Sequence, residues 1–225
     1  MENKWIAIAN DGPSGAGKST IAKLLAKELA YVYVDTGAMY RTVGYAALSA
    51  GIDPTDAESV VAMLPSIRVD LAYDNGVQKV LLNGDDVSDR IRTPEASMAA
   101  SAVSALPPVR QFLFHLQQDM AATHNVIMDG RDIGTVVLPH AQVKIFLSAS
   151  AEDRARRRYD ELVAKGMDVA FEDVLADMKQ RDYNDSHRAA APLKAADDAV
   201  MVDTTGNTLE QSVELMKNLI KERLG

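Results

Sequence analysis

The chain contains no cysteine, and this absence narrows the chemistry available to its 225 residues. Without cysteine there is no disulfide framework, no thiolate metal site and no cysteine nucleophile. The four histidines are too scattered to suggest a metal centre. No apolar run approaches the roughly 20 residues of a membrane-spanning helix, and no leader segment precedes the first strand pattern. We therefore expect a cytoplasmic protein with no membrane partner.

An excess of positive charge is also missing, because the formal net charge is -8. This balance argues against a surface that coats nucleic acid. Arginines nevertheless recur at intervals, which is typical of an acidic protein that concentrates positive charge in one cleft. The planar guanidinium group can hold phosphate oxygens in pairs, so this spacing favours a small phosphorylated substrate. The arginines in question are Arg41, Arg110, Arg131, Arg154, Arg156, Arg157, Arg158, Arg181 and Arg188.

The most specific pattern is a complete G-x-x-x-x-G-K-[ST] phosphate-binding loop at residues 12–19. Its glycines allow backbone angles that direct N–H groups at an anion, and the following helix adds its positive dipole end. In this pattern Lys18 reaches the β and γ phosphates, and the Ser19 hydroxyl binds Mg²⁺. A plain glycine turn is the structural alternative. The predicted ATP-binding residues of the loop are Gly12, Pro13, Ser14, Gly15, Ala16, Gly17, Lys18, Ser19 and Thr20.

Strand and helix patterns alternate along the chain, which predicts an α/β fold with helices on both faces of a parallel sheet. The predicted strands are short and apolar, as buried central strands should be. They cover residues 5–9, 31–34, 126–128, 143–147 and 199–202. The predicted helices cover residues 18–29, 38–50, 108–122, 151–165, 171–188 and 209–224, and Thr208 with Gln211 predicts a capping box for the last one.

Residues 67–92 break this alternation. Two β-like runs, 68–73 and 77–82, are joined by the turn Asp74-Asn75-Gly76. Asn-Gly between two such runs is typical of an antiparallel hairpin. We therefore expect a small β insert that packs on the core of a single domain.

A phosphate loop alone does not distinguish kinases, motor ATPases and GTP switches. The chain has no Asn-Lys-x-Asp motif for guanine, and its only Asp-x-x-Gly, at 203–206, follows the last predicted strand. A kinase must instead neutralise two anionic substrates, which requires further cations. Residues 35–41 and 129–132 supply arginines and acids directly after two strands, at the sheet edge where ligands bind in parallel sheets. The kinase hypothesis is therefore favoured, although capped turns and charged loops would show similar residues.

Two helical groups of charged residues extend the pattern. Arg154 and Arg158 lie four residues apart on one face of the predicted helix 151–165. They belong either to a lid over the transferred phosphoryl group or to a salt-bridged surface helix. Arg181, Asp185 and Arg188 form a second stripe, with the same two interpretations.

With these segments in view, the chain closely resembles the bacterial cytidylate kinases. The resemblance runs nearly from end to end and is far more specific than the phosphate loop alone. It implies an ATP-dependent transfer to CMP or dCMP with Mg²⁺, and a five-stranded P-loop kinase fold with a helical lid. Its motifs lie at residues 12–19, 35–41, 91–95, 101–110, 129–134, 181–188 and 191–193.

The resemblance also implies residue roles. It implies that an arginine of the lid contacts ATP but does not say which one. We favour Arg157, supported by Arg154 and Arg158. Catalytic roles fall on Lys18, Arg131, Asp132, Arg157 and Arg188, and the metal ligand is Ser19. Position 36 holds Thr where many relatives hold Ser, and the hydroxyl is retained. The implied CMP-binding residues are Thr36, Tyr40, Arg41, Ser101, Arg110, Arg131, Asp132, Arg181, Asp185 and Arg188.

The same resemblance divides the single domain, residues 1–225, into three parts. The core covers about 1–35, 107–150 and 171–225, the monophosphate-binding region with the β insert about 36–106, and the lid about 151–170. We expect a monomer. A kinase for another small acceptor such as UMP, and a P-loop module that binds ATP only to set its shape, remain as alternatives.

Overall fold

Residues 4–225 are described by a computed structural model, in which eight strands and eight helices alternate as the sequence predicts for most of the chain. In chain order they are β1 (Ala7–Asp11), α1 (Lys18–Leu29), β2 (Val32–Asp35), α2 (Thr36–Ser49), α3 (Ala57–Met63), β3 (Val69–Asp74), β4 (Val77–Leu82), β5 (Asp85–Asp86), α4 (Pro94–Ser104), α5 (Pro107–Thr123), β6 (Val126–Gly130), β7 (Val143–Ser148), α6 (Ala151–Ala164), α7 (Phe171–His187), β8 (Val200–Asp203) and α8 (Leu209–Leu224).

Five strands form a parallel sheet in the order β2-β6-β1-β7-β8. The register places Asp129 of β6 opposite Asp35 of β2 on one side and Asn10 of β1 on the other. The carboxyl ends of these strands therefore meet at one edge, from which the phosphate loop, helix α2 and the charged segment after β6 leave. The predicted fold class is confirmed.

The sheet separates two apolar cores, because successive side chains of a strand point to opposite faces. On one face Ala7 and Ala9 pack with residues of α2, α4 and α5. On the other face Ile8 packs with Leu25 of α1 and Met216 of α8. This arrangement is a three-layer α/β/α fold. The predicted capping box of α8, formed by Thr208 and Gln211, is also present.

Several predicted boundaries were wrong by one or two residues. The first strand begins at Ala7 and continues to Asp11, because the polar residues Asn10 and Asp11 are buried and pair with β6. Helix α2 begins at Thr36, two residues early, because the Asp35 carboxylate accepts a hydrogen bond from the Ala38 N–H at 2.9 Å and caps the helix. The last stripe residue, Arg188, lies one residue beyond the end of α7.

Helices α3 and α4 were not predicted. Helix α4 is rich in small residues and carries no strong apolar stripe, although Thr93 caps it and Pro94 occupies its first position. It packs against α2 and contributes to the wall of the cleft described below.

The β insert is present as predicted, with β3 and β4 paired antiparallel and a short third strand, β5, that the sequence did not indicate. Asn75 and Gly76 have φ angles of 49° and 78°, as the tight turn of a two-residue hairpin requires. Val69 and Val80 are buried in the core beside α2. The insert is therefore packed on the sheet rather than separate from it.

Helices α6 and α7 pack on each other around a small cluster of their own, with Ala155, Leu162 and Val174 buried. Among residues 4–225, no helix combines the length and the apolar character needed to cross a bilayer.

Candidate active site

The phosphate loop connects the end of β1 to the first turn of α1. At Gly12 the φ angle is 148° and a side-chain carbon would collide with the Leu147 carbonyl oxygen, so only glycine fits there. The Lys18 ammonium is buried and donates to the Pro13 carbonyl at 2.7 Å. Burial, with the nearby charge of Arg131, lowers the pKa of Lys18 to about 7. A phosphate placed in the loop would supply the negative charge that this buried lysine lacks.

Beside the loop, oxygen atoms of three residues meet where α1, β2 and β6 converge. The Ser19 hydroxyl donates to Asp129 Oδ2 at 2.6 Å, and the Tyr33 hydroxyl donates to Oδ1 at 3.0 Å. Burial, together with the charge of Asp35, raises the pKa of Asp129 to about 6. Hydroxyl and carboxylate oxygens are the ligands that Mg²⁺ prefers, so this donor set fits the ion.

From the loop a cleft of about 300 Å³ extends towards α2, α4 and α7. It brings together the predicted residues Ser14, Gly15, Lys18, Ser19, Thr36, Tyr40, Arg41, Ser101, Arg110, Arg131, Asp132, Arg181, Asp185 and Arg188. In the part of the chain that the structure describes, the cleft lining does not include Gly12, Pro13, Ala16, Gly17, Thr20 and Arg157.

Carboxylates hold several of the cleft arginines in place. Arg131 Nε donates to Asp185 Oδ2 at 2.7 Å, and an Arg110 guanidinium nitrogen donates to Asp132. Although burial alone would raise it, the pKa of Asp185 is lowered by the guanidinium of Arg131. These pairs fix the guanidinium planes before any substrate arrives.

Arg188 is fixed by neutral partners instead. Its Nε donates to the Ala191 carbonyl at 2.8 Å and its Nη1 to the Ser104 hydroxyl at 3.2 Å. Its Nη2 lies 3.8 Å from Asp132 Oδ1. Burial, with the charge of Arg110, lowers the pKa of Arg188. The residue therefore links α4, the loop after β6 and the segment after α7.

Three cleft arginines keep unused donors. Considering residues 4–225, the buried Nε atoms of Arg41 and Arg181 and the buried Nη2 of Arg188 have no hydrogen-bond partner. Burial, with the charge of Arg131, lowers the pKa of Arg181 to about 10. Buried donors without a partner are costly, so these groups favour an anionic ligand that would accept from them.

The lid arginines differ from one another in their surroundings. Arg154, expected to support Arg157 at ATP, is buried and already occupied: it donates to the Ser14 carbonyl at 3.0 Å and to both oxygens of Asp182 at 3.0 and 2.6 Å. Arg157 donates to the Thr204 carbonyl at 2.9 Å, and Arg158 lines the cleft while pairing with Glu161 at 2.8 Å. Arg154 therefore fastens α6 to the phosphate loop and to α7.

Sequence reasoning missed several residues of the site. Asp11 is buried and accepts from the N–H groups of Ile133 and Gly134, both at 2.7 Å, which anchors the single π-helical turn after Asp132. Burial raises the pKa of Asp11 to about 6. The position of Asp11 directly before the phosphate loop was the available signal. Asp11 does not itself line the cleft. Among the residues that do, Asp35, Gly37 and Gly130 fall within the predicted segments 35–41 and 129–132, whereas Ser97, Ala100, Ser104, Met178 and Glu161 were missed.

A parallel sheet with a phosphate loop after its first strand, and an arginine-rich cleft at the same edge, defines a P-loop kinase. The family model described as cytidylate kinase matches residues 7–222. The cytidylate kinase of Ligilactobacillus salivarius is 51% identical over 220 residues, covering 98% of both chains. That of Citrifermentans bemidjiense is 50% identical over 224 residues, covering 100% of this chain and 96% of the relative. The chain belongs to the cytidylate kinase family.

Similarity of fold extends further than similarity of sequence. A crystal structure of an uncharacterized protein from Eubacterium ventriosum superposes with a TM-score of 0.53 at 11% identity. The match covers 97% of this chain and 99% of that one. It supports the fold alone.

Proposed function

We propose that this chain transfers the γ-phosphoryl group of ATP to the phosphate of CMP or dCMP, giving ADP and CDP or dCDP. Membership of the cytidylate kinase family supports this reaction. The observation that carries it is the single cleft that joins the phosphate loop to an arginine-rich pocket large enough for a second phosphorylated substrate.

In the donor half, the loop N–H groups and Lys18 bind the phosphates of ATP, and Arg157 approaches them from the lid. The position of Arg157 supports its role, because its Nη1 lies 3.9 Å from the point that a side-chain carbon would occupy at Gly17, directly before α1. Ser19 would hold Mg²⁺ directly, with Asp129 or Asp132 acting through water, and the ion would neutralise the charge of the ATP phosphates.

In the acceptor half, Thr36, Arg41 and Arg131, with Arg110 on the family pattern, bind the phosphate of the monophosphate. Ser101, Arg110 and Asp132 face the base, since cytosine offers an exocyclic amine, a ring acceptor and a carbonyl. Tyr40 supports this pocket, because the Arg110 guanidinium lies 5.7 Å from its ring centroid.

Around the sugar, Asp185 binds a hydroxyl group, and Arg181 lies between the sugar and the phosphates. Arg188 completes the phosphate side. These arginines favour an acceptor that brings negative charge. Arg181 in particular has a lowered pKa and a buried Nε without a hydrogen-bond partner.

The transfer is direct and in line. The acceptor phosphate is already an oxyanion at neutral pH, so no strong general base and no covalent enzyme intermediate are needed. Positioning and charge neutralisation by Lys18, Arg131, Asp132, Arg157 and Arg188 supply the catalysis.

The chain is one monomeric, cytoplasmic enzyme with three parts. These are the core, the monophosphate-binding region 36–106 and the lid 151–170. The small cluster between α6 and α7 joins the proposed lid to the core.

A coupled assay that measures ADP release from ATP with CMP, dCMP, UMP or AMP tests the proposal. We expect release that depends on CMP or dCMP. Dependence on UMP or AMP alone would identify a different acceptor, and the absence of any acceptor dependence would support a P-loop module that uses ATP only to set its shape.

A further inference from the structure

The β insert contacts the outer edge of β2 at Asp35, the residue that caps α2. Strand β2 lies at one end of the sheet order, and the Val32 N–H donates inward to the Asn125 carbonyl at 2.8 Å. Main-chain groups alternate in direction along a strand, so those of Tyr33 and Asp35 point away from β6. These outward groups need partners from elsewhere.

Gln78 of β4 supplies both partners for Asp35. Its Oε1 accepts from the Asp35 N–H at 2.8 Å, and its Nε2 donates to the Asp35 carbonyl at 3.3 Å. The side-chain amide thus pairs with the backbone of Asp35 as a neighbouring strand would. Tyr73, which lies opposite Gln78 in the hairpin, donates to the Tyr33 carbonyl at 3.2 Å.

Asp35 in turn orients Arg41. Its Oδ1 accepts from the Ala38 N–H at 2.9 Å, and its Oδ2 accepts from Arg41 Nη2 at 3.0 Å. Within the described residues, 4–225, the buried Nε of Arg41 has no partner. Arg41 is therefore held by one edge of its guanidinium group, which leaves Nε for a ligand.

We propose that Gln78 is a positioning residue for the acceptor phosphate: its amide fixes the backbone of Asp35, whose carboxylate fixes Arg41. This inference rests on the proposed role of Arg41 in binding CMP. It assigns the β insert a specific task, which is to hold one phosphate ligand of the acceptor site from outside the cleft, since Gln78 does not line the cleft itself.

The test is steady-state kinetics of Gln78→Met, which keeps the length of the side chain and removes its amide. We expect the KM for CMP to rise about fivefold, which corresponds to the loss of a hydrogen-bonded link, while the KM for ATP stays within about twofold. An equal rise in both KM values would overturn the inference, because a general loosening of the fold affects both substrates.

Two variants of the same hairpin serve as controls. Lys79→Met changes the neighbouring side chain, which points to the opposite face and pairs with the exposed Asp86. Tyr73→Phe removes the other link to β2 and leaves Asp35 untouched. Both should leave the KM for CMP unchanged. If either raises it as much as Gln78→Met, hairpin docking in general is responsible and Gln78 has no specific role.

A double-mutant cycle with Arg41→Ala isolates the path of the effect. If Gln78 acts through Arg41, adding Gln78→Met to Arg41→Ala raises the KM for CMP no further. Additive effects would overturn the inference. A wild-type enzyme that does not use CMP would contradict the proposed function, whereas a CMP-using enzyme insensitive to Gln78→Met contradicts this inference alone.

Discussion

Ser19 and Asp129 are joined by a hydrogen bond of 2.6 Å that ties the first turn of α1 to the end of β6. The bond brings a hydroxyl and a buried carboxylate together directly beside the phosphate loop. Burial raises the pKa of Asp129 from 3.8 to about 6. The site therefore disfavours the ionised carboxylate, which is the form that metal binding requires.

Replacement of Asp129 by Asn should therefore change the pH dependence of stability. The folded protein holds the Asp129 proton more tightly than the unfolded chain, so its contribution to the free energy of unfolding falls as pH rises from about 4 to about 6. Relative to Asp129→Asn, the wild type should lose about 2–3 kcal/mol between pH 4 and pH 7. Urea unfolding at several pH values measures this difference. Parallel pH profiles for both proteins would contradict it.

The same variant should lose turnover, although it no longer carries the buried carboxylate that destabilises the wild type at neutral pH. Asp129→Asn removes a negative charge next to the proposed metal ligand Ser19, and we expect turnover at saturating ATP and CMP to fall about 100-fold. A titration with Mg²⁺ should show a raised half-saturating concentration. Unchanged turnover and Mg²⁺ dependence would remove Asp129 from the metal site.

Binding of a nucleotide should protonate Lys18. The pKa of Lys18 is about 7 in the free protein, because burial and Arg131 oppose its charge. At pH 8 the amine is mostly neutral, and phosphate groups favour the ammonium form. Calorimetry of ADP binding at pH 8, in buffers with different ionisation enthalpies, should reveal uptake of about one proton. Lys18→Arg keeps a permanent charge and should take up none.

Substitutions of Arg154 and Arg157 should have different effects, the first on stability and the second on ATP binding. Arg154 is buried and holds the Ser14 carbonyl and Asp182, so Arg154→Met should lower the free energy of unfolding by about 3 kcal/mol. Arg157→Met should instead raise the KM for ATP several-fold with little loss of stability. Chemical denaturation and kinetics of both variants test the assignment, and exchanged outcomes would show that Arg154 is the ATP ligand.

Arg188→Met should reduce kcat/KM for CMP about 100-fold while the fold survives. Arg188 links Ser104, Ala191 and Asp132 within the acceptor cleft, so its loss disturbs several acceptor contacts at once. Arg223→Met, at the exposed end of α8, is the matched control and should leave kcat/KM unchanged. A lowered melting temperature with normal kinetics would show that Arg188 only stabilises the protein.

The sequence predicted the parts of the site that depend on local order along the chain. A phosphate loop and two charged loops each follow a strand, so the parallel sheet places them at one edge without further information. Helix α4 was missed because its small residues give a weak apolar pattern, and Ser97 and Ser104 were missed with it.

Pairings between distant residues could not be predicted. Nothing in the sequence shows that Arg154 meets Asp182, since their contact depends on how α6 packs against α7. Asp11 likewise lies outside the predicted first strand, and only its pairing with β6 shows that it is buried. Buried charged residues such as these can be distinguished from solvent-exposed ones only when the packing of the helices and strands is known.

The contacts of the β insert with β2 have a consequence for solubility. An edge strand with free N–H and C=O groups can pair with a strand of another molecule, which is a route to aggregation. Gln78 occupies the N–H and carbonyl of Asp35, and Tyr73 occupies the carbonyl of Tyr33. Shortening the hairpin would uncover the edge of the sheet, so a trimmed enzyme should self-associate through β2 even where its phosphate loop and cleft remain intact.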